Sequence, residues 1–348
     1  MVGFALLGAG IFAQTEHLPA IEASSDLELK AVYSRSQKSA ETIASEAKNS
    51  VDVYFDSPET PGKSLSDLLA RSDIAAVAVC LPINVQPDIV KKAVEAGKHV
   101  ISEKPVAKDV TTAVETLEWY KARADAPIWA VAENFRFLES LDYATAKLNE
   151  IGGQVTTFHL KMNSFVTEDN KYYNTPWRKI PEYQGGFLLD GGVHFVAALR
   201  LLLASAGQEL KQLACFSALL EERLLPVDTI HAAAQTQDGK TGTIGVSFGT
   251  EFKSGLEAEI VTTKGAVTWT PTKVKVVSKS ASGEKEESSK DFVYNSGVKA
   301  EFEAFGKSIV AGKGDARQTP REALKDLELL QSLLESGEGK GALKKLTL

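Results

Sequence analysis

Three short stretches of the sequence combine residue types that can do chemistry. The first, Ser102-Glu103-Lys104-Pro105, places a lysine directly after an apolar run that reads as a strand. An ammonium at a strand end can donate a proton to a substrate oxygen or stabilise a developing alkoxide. The second is Gly185-Gly186-Phe187-Leu188-Leu189-Asp190-Gly191-Gly192-Val193-His194. In a helix that begins around Gly191, Asp190 and His194 reach one side of its first turn. A carboxylate beside an imidazole suits acid–base work. An N-cap aspartate with a packed histidine accounts for the same spacing. The third is Gly8-Ala9-Gly10-Ile11-Phe12-Ala13, which fits G-x-G-x-x-A. There Gly8 permits a tight turn, Gly10 lets the backbone approach a pyrophosphate, and Ala13 allows close helix–strand packing. A helix N-terminus after it offers free N–H groups and a favourable dipole to an anion.

The elements around these stretches must hold them in place. Val2 to Leu7 reads as a buried strand, Phe12 to Ala23 as a helix and Leu27 to Tyr33 as a second strand. Val53 to Phe55, Ile74 to Leu81, His99 to Ser102 and Ile128 to Ala132 read as further strands. Helices at Leu65 to Ala70, Val85 to Ala96 and Thr111 to Arg123 lie among them. Continuous apolar strands alternating with helices predict a parallel, doubly wound sheet covered on both faces. The glycine stretch then lies in the required context, between a strand and a helix, and reads as a dinucleotide-binding turn.

At the end of the second strand, where an NAD enzyme often carries Asp or Glu for the ribose hydroxyls, stand Tyr33-Ser34-Arg35-Ser36, with Lys38 beyond. A guanidinium and two hydroxyls suit a 2′-phosphate, which makes NADP(H) the expected cofactor. A solvated basic helix start is the alternative.

The pattern changes near Asn134. A helix around Leu141 to Glu150, a strand from Val155 to Met162 and a long polar segment from Asn163 to Gln184 precede a helix from Val193 to Ala204. Extended stretches follow at Lys211 to Leu220, Thr229 to Gln237, Thr243 to Phe248, Leu256 to Thr262 and Lys273 to Ser278. Their meander-like spacing predicts a mainly antiparallel sheet. Ser280 to Lys290, charged and serine-rich, reads as a mobile hairpin tip. Helices near Val298 to Ile309 and Pro320 to Leu334 finish the chain. The expected organisation is an α/β protein with a Rossmann domain over 1–133 and a substrate-binding and oligomerisation domain over 134–348.

Bulk properties narrow the function. A length of 348 residues with 43% hydrophobic and 24% charged residues fits two globular domains. A net charge of -7 argues against a general nucleic-acid binder. Cys80 and Cys215 lie in strand-like stretches without metal-ligand spacing, so buried thiols and no metal are expected. The apolar helical stretch Phe195 to Leu203 is too short to cross a bilayer. No signal peptide pattern precedes Val2 and no common targeting tail ends the chain, so the expected location is the cytosol.

Taken together the motifs resemble the Gfo/Idh/MocA oxidoreductase family nearly end to end. The resemblance rests on Gly8-x-Gly10, His17-Leu18-Pro19, Ala96-Gly97-Lys98-His99-Val100, Glu103-Lys104-Pro105, Ala132-Glu133-Asn134-Phe135-Arg136 and the Gly-Gly-x-x-x-Asp-Gly-Gly-x-His stretch. Thr175-Pro176-Trp177-Arg178, with Pro181-Glu182-Tyr183, is most similar to fungal NADP-dependent members. The resemblance implies a Rossmann domain followed by an α/β domain with a large, mostly antiparallel sheet. It implies Lys104 as the bridge between nicotinamide and substrate, His194 as acid–base and Asp190 as the group that orients substrate or histidine. It also implies cofactor contacts from Gly8, Gly10, Ile11, Phe12, Ser34, Arg35, Leu81, Pro82, Asn84, Glu103, Lys104, Asn134, Trp177 and Arg178.

The chain departs from the family where Thr-Pro-Asn-x-x-His is common: it reads Leu81-Pro82-Ile83-Asn84-Val85-Gln86. His17, His99, His159 and His231 are expected to be structural. Lys161, Asn163, Glu133, Arg136, Trp177, Arg178 and Tyr183 are candidates for the pocket lining, with Trp177 as core and Arg136 as an ion-pair partner the plainer readings. The expected partner is a small polar substrate (a sugar, polyol, dihydrodiol, aldehyde or ketone), with no nucleic acid and no membrane. The family resemblance adds a homodimer through the C-terminal sheet. The competing expectation is a non-catalytic, dinucleotide-responsive regulator of the same fold.

Overall fold

The first sheet forms because its strands are apolar throughout and can be buried on both faces. In the computed structural model, which describes residues 1–348 apart from residue 281 and the side chains of residues 176 and 177, these strands are β1 (Val2–Leu7), β2 (Leu27–Ser34), β3 (Asp52–Phe55), β4 (Ala76–Val79), β5 (His99–Glu103) and β6 (Trp129–Ala132). Among the described residues they make a six-stranded sheet in the order β3-β2-β1-β4-β5-β6. Every pair is parallel. The order reverses between β1 and β4, so the ends of those strands form the crevice where such sheets bind ligands. The intervening helices are α1 (Leu18–Ala23), α2 (Gln37–Glu46), α3 (Leu65–Leu69), α4 (Gln86–Glu95) and α5 (Val110–Lys121). The expected helix from Phe12 to Ala23 is divided: Ala13–His17 is a π-helical turn that runs directly into α1.

The second sheet comprises β7 (Val155–Asn163), β8 (Leu210–Ala218), β9 (Thr229–Thr236), β10 (Thr241–Ser247), β11 (Gly255–Thr262), β12 (Gly265–Thr270), β13 (Lys273–Lys279), β14 (Lys285–Asp291) and β15 (Lys344–Lys345). Its nine described strands run β14-β13-β12-β11-β7-β10-β9-β8-β15. The β7–β10 pair is parallel and the others are antiparallel. The segment expected to be a mobile tip contains β14, which pairs with β13 from Lys279↔Lys285 to Lys273↔Asp291. Its polar sequence suits an edge strand exposed on both faces.

The remaining helices are α6 (Glu139–Ile151), α7 (Pro176–Lys179), α8 (Gly186–Ser205), α9 (Val298–Ala311) and α10 (Pro320–Glu338). The helix expected from Val193 begins a full two turns earlier. Gly191 and Gly192, at the edge of the expected helix, lie inside α8. A Cβ at Gly191 would sit 2.8 Å from the Phe248 ring, so this glycine serves close packing. α8 also corrects the short apolar stretch read at Phe195 to Leu203. It is 20 residues long and apolar enough, by length and composition, to cross a membrane. Leu188, Leu189, Val196, Leu199 and Leu202 are buried in the protein interior, which makes it a core helix.

The chain forms two compact units, 1–133 with 298–324, and 134–297 with 325–348. The sequence reading had left 298–324 in the second domain. The segment belongs to the first unit because α9 buries Phe302 and Phe305 edge-on against Phe4 of β1. Burial of large aromatic side chains of this kind dominates core energetics.

Candidate active site

In the first unit, Gly8 follows β1 directly. Its φ is +125°, and a Cβ there would lie 2.0 Å from the Cys80 carbonyl oxygen, just past β4. Gly8 N–H donates to the Tyr33 carbonyl at 2.8 Å, which ties the turn to β2. At Gly10, by contrast, no atom lies within 4 Å of a Cβ position. Gly10 is exposed, Ile11 and Phe12 are half-buried, and Ala13 is fully buried. A turn with an open backbone face ahead of a helix fits a pyrophosphate, since a side chain at Gly10 would fill that face.

The two glycines therefore predict different failures. Gly8→Ala combines a left-handed backbone with a backbone clash and is expected to cost at least about 2 kcal/mol of unfolding stability. Gly10→Ala is expected to keep stability within about 0.5 kcal/mol and to weaken dinucleotide binding. Chemical denaturation and cofactor titration of both variants check this. Equal stability loss in the two contradicts it.

The adenosine end is set by β2. Ser34 is half-buried at its last position, and Arg35 is exposed. Ser36 caps α2, accepting from Ser39 N–H at 3.3 Å and donating to Ser39 Oγ at 2.8 Å. A carboxylate is close by, just past β3: Tyr33 Oη donates to Asp56 at 2.5 Å. Burial and this carboxylate push the Tyr33 phenol well above its ordinary range. The departure loop forms a short 3-10 turn, Ile83–Val85, leading into α4. Leu81 and Pro82 are half-buried and Asn84 is exposed, while the Gln86 side chain is buried with its Oε1 outside any hydrogen bond.

Lys104 follows β5 and is half-buried. The strand below it is anchored where the Trp129 indole donates to Ser102 Oγ at 3.0 Å. The Glu103 carboxylate is engaged on both oxygens. Oε1 lies 2.7 Å from His17 Nε2, and Oε2 accepts the Lys104 N–H at 3.2 Å. Donor atoms of His17, Cys80 and Glu103 all fall within 4.8 Å of one another. Sequence reasoning had set His17 aside as a lone structural histidine. The signal it missed was the pairing of a helix-borne histidine with a strand-end glutamate 86 residues away.

In the second unit, α8 carries Asp190 and His194 one turn apart, both well inside the helix. The N-cap reading of Asp190 therefore fails. Arg178 Nε donates to Asp190 Oδ2 at 2.8 Å, and both side chains are largely buried. The Arg178 guanidinium also lies 5.5 Å from the Tyr172 ring centroid. Tyr183 stands close enough that burial, then the Asp190 charge, raises its phenol far above the ordinary range against the opposing pull of Arg178. It remains a proton donor at neutral pH. The half-buried His194 imidazole stacks on Phe135, centroids 4.8 Å apart and planes at 19°. α8 thus presents a clamped carboxylate and an imidazole on an aromatic ring, with the Tyr183 phenol of the preceding loop near the carboxylate, a set able to bind hydroxyls and move a proton.

The other expected residues divide. The Asn134 amide donates to the Ser296 carbonyl at 2.5 Å. Arg136 takes the ion-pair role: it bonds buried Asp326 at 2.5 Å, and Arg200 bonds the other oxygen of that carboxylate. Lys161 alternates with buried Leu160 and Met162, so it lies on the sheet face away from them; His159 shares that face and bonds Thr243 Oγ1 at 2.9 Å. Glu133 is buried. The Trp177 side chain lies outside the described residues. Cys80 and Cys215 are both free thiols, Cys215 buried and Cys80 half-buried.

Comparison with known proteins agrees with this architecture. Residues 2–126 match the model of an oxidoreductase family with an NAD-binding Rossmann fold, and residues 148–344 match that family's C-terminal alpha/beta domain. The dehydrogenase FPY6 of Fusarium mangiferae is 56% identical over 344 residues, covering 99% of each chain. The uncharacterized protein YMR315W of Saccharomyces cerevisiae is 30% identical over 97% of this chain and 96% of its own. An oxidoreductase structure from Thermotoga maritima superposes with a TM-score of 0.85 at 29% identity, over 99% of this chain and 98% of that one. With both domain models matched in order along the chain and a fungal dehydrogenase similar throughout, this protein belongs to the Gfo/Idh/MocA oxidoreductase family.

Proposed function

We propose that this chain is an NADP(H)-dependent oxidoreductase acting on a small polar alcohol or carbonyl compound of the sugar, polyol, dihydrodiol or aldehyde and ketone type. The observation that carries the reading is that a member of an oxidoreductase family keeps a lysine, an aspartate and a histidine in its two motifs, each with a dedicated support. Glu103 holds the Lys104 N–H, Arg178 holds Asp190, and Phe135 backs His194. A protein that senses the cofactor without chemistry has no need of all three.

A bound nicotinamide dinucleotide supplies the hydride acceptor or donor. Lys104 steadies the substrate oxygen as its charge changes. His194 would take up the hydroxyl proton of an alcohol substrate and, in the reverse direction, return it to the oxygen of a carbonyl. Asp190, clamped by Arg178, orients the substrate hydroxyls or the imidazole. The combination of hydroxyl-binding groups with Phe135 and Tyr183 suits a polyhydroxylated ring or chain. The same reading includes a homodimer through the outer face of the second sheet, where Phe216 is 66% exposed beside His231; sedimentation at a dimer mass tests it.

Support for NADP(H) comes from Ser34, Arg35 and the Ser36-capped start of α2, with no carboxylate at the end of β2 itself. Asp56, just past the neighbouring strand, is engaged by Tyr33. A planar guanidinium binds phosphate through charge-assisted hydrogen bonds. Arg35→Ala is expected to weaken NADPH about ten- to a hundred-fold, the affinity equivalent of about 1.5–3 kcal/mol for hydrogen bonds to a charged group, and to leave NADH nearly unchanged. Dissociation constants for both cofactors decide it. Equal affinity of the parent for NADPH and NADH, or no NADPH loss in the variant, makes Arg35 a solvated surface residue.

A further inference from the structure

The motif lysine is held from behind by a chain of contacts wholly inside the first unit. The π-helical turn Ala13–His17 continues the phosphate-binding turn, and turns of this kind are frequent at functional sites. It ends on His17, whose side chain is buried, 1% exposed, between the rings of Phe12 and Phe302. His17 Nε2 meets Glu103 Oε1 at 2.7 Å, and Glu103 Oε2 accepts the Lys104 N–H. An apolar setting alone would accommodate a leucine. Burying a histidine and a carboxylate together is costly unless the pair is closely bonded.

We propose that His17 is a positioning residue for Lys104, acting through Glu103. The imidazole fixes the carboxylate, and the carboxylate fixes the backbone from which the lysine side chain projects. The proposal rests on the reading of Lys104 given above. Burial lowers the His17 pKa, but Cys80 and Glu103 outweigh it and hold the pKa well above the ordinary histidine value. Because His17 and the glycine turn share one continuous stretch of chain, the contact also ties Lys104 to the segment that binds the pyrophosphate.

A positioning role differs from plain packing in what it moves. His17→Leu is expected to lower kcat about ten- to a hundred-fold, since displacing a reacting group by about 1 Å can cost this much. NADPH affinity stays within about threefold and KM changes little, the pattern of an interaction felt in the transition state. His17→Gln, whose amide can still donate to Glu103, restores kcat to within about threefold of the parent. Glu103→Ala shows the same loss, and the double variant His17→Leu/Glu103→Ala loses no more than either alone, because both act through one contact. Where circular dichroism shows that His17→Leu does not fold, His17→Asn, polar but too short to reach Glu103, replaces it in the cycle. Multiplicative losses in the double variant, parental turnover in His17→Leu, or no rescue by His17→Gln overturns the proposal. Lys104→Met in the same assay separates the two levels. If it turns over like the parent, the reading of the site falls and this inference with it. If it is inactive while His17→Leu is fully active, this inference alone falls.

Discussion

Lys104→Met is expected to lose turnover by about a hundred- to ten-thousand-fold while folding and binding NADPH much as the parent does. The range is that of a single positioned proton donor or acceptor. Methionine keeps the length and apolar stem of lysine and removes the ammonium. Glu103 accepts the backbone N–H of residue 104, a contact that the variant can still make. Strand β5 is buried and anchored independently by Trp129 on Ser102. The loss should therefore appear in kcat and in kcat/KM alike, the signature of an interaction made in the transition state. Steady-state kinetics with calorimetric NADPH binding check it. Parental turnover removes Lys104 from the chemistry; lost cofactor binding with parental turnover at saturation makes it a binding residue.

His194→Ala carries the second large effect. Proton transfer at the substrate oxygen is its proposed task, so turnover should fall about a hundredfold or more, with NADPH affinity little changed. Part of the side chain is half-buried against Phe135, and the loss of that stacked contact should cost about 1 kcal/mol of stability. Asp190→Asn tests the partner position from another direction. The amide is nearly isosteric but lacks the charge that pairs with Arg178, so Arg178 is left largely buried beside a neutral group. Breaking a pair of this kind costs several-fold more than an exposed one. A lower melting temperature is expected together with a lower kcat. If Asp190→Asn lowers stability alone, with kcat at the parental level, Asp190 is a structural partner of Arg178.

The parts of the molecule legible in the sequence are those whose signals are local. Continuous apolar strands separated by helices announced the parallel sheet, and the glycine turn between Leu7 and Phe12 announced the phosphate end of a dinucleotide site. What escaped depended on contacts distant in sequence. α9 looks like any amphipathic helix until Phe302 and Phe305 meet Phe4. Gly191 and Gly192 look like a helix start until Phe248 is seen against one of them. Asp190 as an N-cap is a reasonable local reading, and the turn of helix that precedes it, from Gly186, overrules it. His17 and Glu103, like Arg136 and Asp326, are partners whose pairing no spacing rule exposes.

The proposed activity is hydride chemistry that depends on both Lys104 and His194 and is served by NADP(H). It is tested most directly by following NADPH oxidation with purified protein across a panel of sugars, polyol-derived ketones, dihydroxy carbonyl compounds and simple aldehydes, with NADH in parallel and with Lys104→Met and His194→Ala beside the parent. The expected result is stoichiometric conversion of at least one polar carbonyl compound, a kcat/KM for NADPH at least about tenfold above that for NADH, and loss of that conversion in both variants. NADPH binding without turnover of any panel member, or turnover that both variants retain, would contradict it and favour a protein that responds to the dinucleotide without transforming a substrate.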